Sequence, residues 1–190
     1  MATTTNMLAR QPTEFDYADP TKFKFSIQKL PKVEFFTTAA NLPGINLGES
    51  IFPTPFKAIP VQGDDLKFDN LEIEFIVDAQ LENYRELHQW LVGIGFPKAR
   101  TQFSSFRKDE SSTFPTPDAV DNKPTGVQAM YGDATLTVMT SKNNPIMEVQ
   151  FSDLYPVSLG ALQFDQQATD ITYLTATATF SYKIYEMFTI

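Results

Sequence analysis

Few side chains in this sequence have the types and spacing that a reaction centre needs. Glu72 and Glu74 stand two residues apart in the stretch LEIEF. On a β-strand that spacing puts both carboxylates on one face, about 7 Å apart along the strand. A glycosidase could use such a pair as acid and nucleophile. Alternating glutamates are equally an ordinary way to wet one side of a strand, and nothing near them suggests a sugar cleft. His88 is the single histidine. Alone it cannot build a multi-histidine metal site, and its place beside Trp90 in a helical stretch reads as structural. Asp64 and Asp65 follow Gly63 and read as turn residues, because the further acidic ligands of a calcium loop are missing. No HExxH, GxxxxGK[ST] or GxGxxG run and no Ser-His-Asp order occurs. The chain has no cysteine, which removes disulfides and thiolate metal sites. These residues predict no enzyme, no cofactor and no metal.

The elements around them are those of a β protein. The 190 residues are enough for one domain with a real core. Thirteen prolines and eight glycines point to a chain punctuated by loops rather than a helical bundle. Fifteen basic against twenty-three acidic side chains leave a net charge of −8, which repels phosphate and disfavours gripping a nucleic-acid backbone. The first residues lack the apolar core of a secretory signal, and no run of apolar residues is long enough to span a membrane as a helix. The expectation is a soluble protein without a membrane partner.

Residues 1–20 are polar and read as a flexible arm, and 21–190 as one domain. Segments 22–30 and 32–42 read as two strands joined at 30–32. Residues 42–65, broken by Pro43, Pro53, Pro55 and Pro60 and by Gly44, Gly48 and Gly63, read as a long irregular loop. That loop nevertheless carries Ile45, Ile51, Phe52 and Phe56. Alternation returns at 66–78, where Leu71, Ile73, Phe75 and Val77 share one face. The spacing of Leu81, Tyr84 and Leu91 predicts a helix at about 79–92, with Asp78 as its cap and Gly93 and Gly95 at its end. Residues 97–126 read as a surface insertion. Strands follow at 127–141 and 146–156, joined by a turn at SKNNP. Last comes YLTATATFSYKIY, residues 173–185. Thr175, Thr177 and Thr179 fall on one side of it and Ala176, Ala178 and Phe180 on the other, as in one long strand with a hydroxyl face and an apolar face.

Three stretches resemble the tail tube proteins of contractile-tailed bacteriophages. In 33–78 a segment ends in AANLPG and runs through VQGD to another strand. The helix LENYRELHQWL, 81–91, carries its aromatic near the end. In 154–182 the run LYPVSLGALQFD leads into an acidic turn and the final alternating strand. They follow one another in family order, and the insertion at 97–126 departs from the simple pattern. A main tube subunit and a tube-like baseplate ring both fit, and a β-sandwich binding module using Phe103, Phe106 and Phe114 is a further alternative.

The resemblance implies a mainly β fold, a sandwich or small barrel of antiparallel strands with one flanking helix. Its subunits would close into a ring-shaped inter-subunit barrel, and hexameric rings would stack into a tube. It also implies a virion tail protein assembled in the host cytoplasm, with sheath, baseplate and tape-measure proteins as partners and DNA passing without specific binding. A closed barrel hides sheet edges, and its inner face must stay wet. Glu72, Glu74, Glu148, Gln150, Thr175, Thr177 and Thr179 are the candidates for that face, with outer solvent as the alternative for each. Ile45, Ile51, Phe52 and Phe56 are the candidates for contact between subunits or rings, with packing on their own domain as the alternative.

Overall fold

The computed structural model describes residues 17–101, 130–165 and 173–190. Most of the arm at 1–20 and most of the insertion at 97–126, including Phe103, Phe106 and Phe114, lie outside the described residues. In chain order the elements are β1 (Phe23–Ile27), α1 (Pro31–Phe36), β2 (Thr37–Ala40), β3 (Ile45–Pro53), β4 (Ala58–Phe68), β5 (Leu71–Ile76) and α2 (Glu82–Gly95). β6 (Gly132–Met139), β7 (Pro145–Leu159), β8 (Thr175–Ser181) and β9 (Ile184–Thr189) follow. Strands β1-β6-β7-β8-β5-β2 form one antiparallel sheet, which β9 joins through β7. β3 and β4 form a separate two-stranded ribbon. Among the described residues no helix is long and apolar enough to cross a membrane.

One core holds this together. Phe25, Ile27, Ile73, Phe75, Leu136, Phe151 and Phe180 come from five strands and meet Val33 of α1 and Leu87 and Trp90 of α2. In β5 burial alternates as the sequence pattern requires, with Leu71, Ile73 and Phe75 buried and Glu72 exposed. The long strand β7 organises the sheet. Its first part, to Ser152, lies between β6 and β9, and its last part, Tyr155–Leu159, pairs with β8. Asp153, at φ 54°, marks the corner between the two.

Several expectations are corrected. The segment 32–42 is not a strand throughout, because Pro31 starts a short helix. A proline suits the first helical position, where its missing N–H would have no partner. Val33 then turns into the core, and Glu34 pairs with Lys24 at 2.9 Å. Only Thr37–Ala40 is extended. Helix α2 begins and ends three residues later than expected. Asp78 does not cap it by its side chain. The cap position is Leu81, in the left-handed region at φ 56°, and its N–H bonds the Asp78 carbonyl at 2.8 Å. The polar work falls to Asn83, fully buried, whose Oδ1 accepts from the backbone N–H groups of Asp78 and Tyr84 while Nδ2 donates to Ile76 O. The last long strand divides into β8 and β9 at Tyr182–Lys183.

The largest correction concerns 42–65. It is no irregular loop: most of it is the β3–β4 ribbon, nine residues against eleven, with Ile51 opposite Pro60 and Phe52 opposite Ile59. Proline is tolerated there because each strand of a two-stranded ribbon is an edge and needs no donor on its outer side. The register shifts between Leu47 and Glu49. At that bulge the strands come so close that a Cβ on Gly63 would lie 2.5 Å from the Gly48 carbonyl oxygen. The sequence TPFK turns the tip. Thr54 Oγ1 bonds to the Lys57 carbonyl and accepts from the Lys57 N–H at 3.2 Å.

Candidate functional site

The acidic and hydroxyl candidates lie on faces of the sheet. Glu72 pairs across the strands with Thr179, Glu74 with Thr177, and Ile76 with Thr175. Directly opposed residues share a face, so Glu72, Glu74, Thr175, Thr177 and Thr179 make one polar patch on the outer side of β5 and β8. Ala176, Ala178 and Phe180 are buried on the other side. The hydroxyl ladder is thus the wet reverse of the core. Thr38 extends the patch at the β2 side, its hydroxyl donating to Glu74 O at 3.1 Å.

Glu148 and Gln150 stand elsewhere, on β7 before the Asp153 corner. Their partners are Thr137 and Thr135 on β6 and Phe188 and Glu186 on β9. Gln150 Nε2 donates to Glu148 Oε1 at 3.2 Å. The structure therefore gathers five of the seven wet-face candidates and sets two apart. His88 is exposed on α2.

The strands beneath the main patch run β7-β8-β5-β2. Among the described residues, β2 pairs only with β5, and Tyr155–Leu159 of β7 pairs only with β8. Among the described residues both borders of this four-strand strip are thus open, and a strand border with unpaired N–H and C=O groups is a template for another strand.

The ribbon carries the other candidates. Ile51 is 67% exposed, Phe52 62% and Phe56 99%; Ile45 is about half exposed, and so are Leu47, Ile59, Val61 and Leu66. The sequence reading missed these last four because it saw no strands there. Had 45–68 been read as a ribbon, alternation would have found them. At the root, Phe68 meets Tyr182 and Tyr185 edge to face, with centroids 6.2 and 5.6 Å apart. Phe151 joins them from β7, 5.1 Å from Tyr182. The two tyrosine hydroxyls hold the ribbon's ends. Tyr182 donates to Asp69 O at 2.9 Å, just after β4, and Tyr185 to Pro43 O at 3.2 Å, just before β3. Burial pushes the Tyr182 hydroxyl up to about 12, helped by Tyr185 and Asp69 nearby.

A family model described as phage tail tube protein matches residues 4–188. The chain belongs to that family. Solved structures share its fold. A chain in the anti-feeding prophage baseplate superposes with a TM-score of 0.54 at 11% identity, covering 92% of this chain and 97% of its own. A chain of the anti-feeding prophage tube-terminating cap gives 0.53 at 13% over the whole of both. One from the sheath-tube complex of an extracellular contractile injection system, PVC, gives 0.51 at 12%, again over both whole chains. No curated protein matches the sequence. The protein is a structural tube component of the virion tail, in a fold built of antiparallel sheets.

Proposed function

We propose that copies of this chain close into rings, six to a ring, and that the rings stack into a hollow tube through which the genome passes during ejection. The observation that carries this is the polar patch of Glu72, Glu74, Thr177 and Thr179 on a strip whose two borders pair with no other strand among the described residues. Strands alternate in direction across the strip, so β2 of one copy beside Tyr155–Leu159 of the next makes an antiparallel seam. Repeating the seam joins the strips into one barrel without edges. The carboxylates then line the bore and repel phosphate, and the hydroxyls offer only weak, exchangeable hydrogen bonds; a lysine-lined bore would grip DNA by counterion release. Glu148 and Gln150 fit the bore less well, because they share their face with exposed Ile184 and Phe188. Ile45, Ile51, Phe52 and Phe56 supply contact between rings. The chain acts by assembly and not by catalysis, is put together in the host cytoplasm with sheath, baseplate and tape-measure proteins, and uses no membrane.

Electron cryomicroscopy of tubes assembled from the purified chain tests the proposal. The expected map shows rings whose inner wall carries Glu72 and Glu74. Carboxylates turned outward all round the bore refute it. The likeness to baseplate and cap chains favours a second reading, a single ring in place of a long polymer. Particle lengths in negative stain separate the two.

A further inference from the structure

We propose that the two borders of the β7-β8-β5-β2 strip carry matching bulges that lock the joint between copies in one register. In it Thr37 stands opposite Leu159 of the next copy, Thr38 opposite Ser158, Ala39 opposite Val157 and Ala40 opposite Pro156. This rests on the ring reading above and goes further by naming what selects the joint. In the middle of the strip β5 and β8 pair residue for residue, from Leu71 with Phe180 to Ile76 with Thr175. Both outer pairs are interrupted. Thr37 faces Phe75 and Ala39 faces Glu74, so Thr38 is an extra residue in β2. Pro156 faces Phe180 and Ser158 faces Thr179, so Val157 is an extra residue in β7. An extra residue of this kind breaks the alternation of a strand. Along β2, Thr37 is half-buried, Thr38 and Ala39 are exposed, and Ala40 packs against the core. Along β7, Pro156 is buried, Val157 and Ser158 are exposed, and Leu159 packs against the core. Each border thus reads in, out, out, in. The outward residues belong to the wet side in both, since Ala39 stands opposite Glu74 and Ser158 opposite Thr179.

The partner is a second copy because the two borders fit each other. Directly opposed residues of paired strands share a face. Two antiparallel registers lay all of β2 along Tyr155–Leu159. In the one above, each inward residue meets an inward residue and each outward one an outward one. The other slides by one position and sets Thr37 against Ser158 and Ala40 against Tyr155, core side against water side. The order also excludes two other free borders of the sheet. β1 and β9 pair with their neighbours without a register shift, so their side chains alternate strictly and cannot follow two outward residues in a row. Pro156 has no N–H, but a proline is tolerated on an outer border, and its carbonyl remains as an acceptor.

Disulfide trapping tests the lock, because the chain has no cysteine of its own. Ala39→Cys with Val157→Cys, and Thr38→Cys with Ser158→Cys, report the proposed register; Ala40→Cys with Tyr155→Cys reports the slid one. Within one chain the two borders lie three strand spacings apart, about 14 Å, so every adduct joins two chains. Oxidation of the assembled protein is expected to give a ladder of covalent oligomers with the first two pairs and none with the third. A ladder from the third pair alone overturns the lock and leaves the joint between β2 and β7 standing. Assembled tubes in which no pair reacts refute that joint, and the lock fails with it. Deletions give a second test. Removing Thr38 or Val157 alone sets a bulged border against a flat one and is expected to raise the critical concentration for assembly roughly tenfold or more. Removing both leaves two borders that read in, out, in, and is expected to restore assembly. Thermal melting of the dilute monomers shows whether each deletion variant folds, and the cysteine pairs decide the matter where one does not. Folded single deletions that assemble like wild type, or a folded double deletion no better than the worse single one, overturn the lock.

Discussion

Replacing Phe52 by threonine should weaken assembly strongly while leaving the monomer folded. Phe52 is 62% exposed on the ribbon and its cross-strand partner Ile59 is also open to solvent. A phenylalanine offers roughly 200 Å² for burial, which leaves about 120 Å² of this one in water. Covering that area at ~25 cal/mol per Å² stabilises a contact by about 3 kcal/mol. Threonine keeps the β preference and a small part of the area, so the loss is about 2.5 kcal/mol per contact. That corresponds to roughly sixty-fold in the association constant of each contact. In the monomer the remaining ~80 Å² is already covered, so the same change should cost it at most about 2 kcal/mol and leave it folded. Sedimentation at a series of protein concentrations gives the critical concentration for assembly, and calorimetry of the dilute monomer gives its stability. A critical concentration within twofold of wild type, with the monomer still folded, would refute the assignment of Phe52 to a contact. A monomer that melts much lower would show instead that Phe52 supports its own domain.

The Tyr182 hydroxyl should be visible both in stability and in its pH dependence. Tyr182→Phe loses one hydrogen bond to Asp69 O, worth about 1 kcal/mol, and should lower the melting temperature by roughly 2–4 °C. Because its folded pKa is raised to about 12 from the usual 10, the neutral form is favoured in the fold. Its contribution is complete below pH 10, declines as the unfolded chain ionises first, and is lost as pH rises through 12. Alkaline unfolding curves of wild type and Tyr182→Phe should therefore converge over that window. Asn83→Ala strips partners from two backbone N–H groups and one carbonyl in the buried start of α2. It should cost about 3 kcal/mol, seen as a lower urea midpoint at unchanged slope. Glu74→Lys should leave rings intact but make assembled tubes retain DNA at low salt and release it as salt rises, as a filter-binding titration would show.

What the sequence disclosed depended on whether a pattern was local. In β5 and β8 alternation alone revealed both faces, because a strand with one buried side has no other way to be written. Helix α2 was legible from its spacing. Its start was not, because Asn83, rather than the conventional acidic cap, satisfies the backbone there. Alternation also hid the division between β8 and β9. Both lie along β7 in a shared register, Tyr155 opposite Ser181 and Ser152 opposite Ile184, so the in-and-out order runs on across the break. The cause is the corner at Asp153, far away in the sequence. The ribbon was misread because Pro and Gly signals assume a strand inside a sheet, and a free-standing pair escapes that assumption. Which polar residues form one patch was equally invisible. Cross-strand register joins Glu72 to Thr179 and leaves Glu148 with β6 and β9.

The strip β7-β8-β5-β2 holds an even number of strands. With an odd strip, copies related by rotation would meet in parallel at every join. With an even one, each junction looks the same whatever the tally of copies. Parity thus imposes no preferred size, and the diameter of the closed hoop must come from how sharply each strip bends.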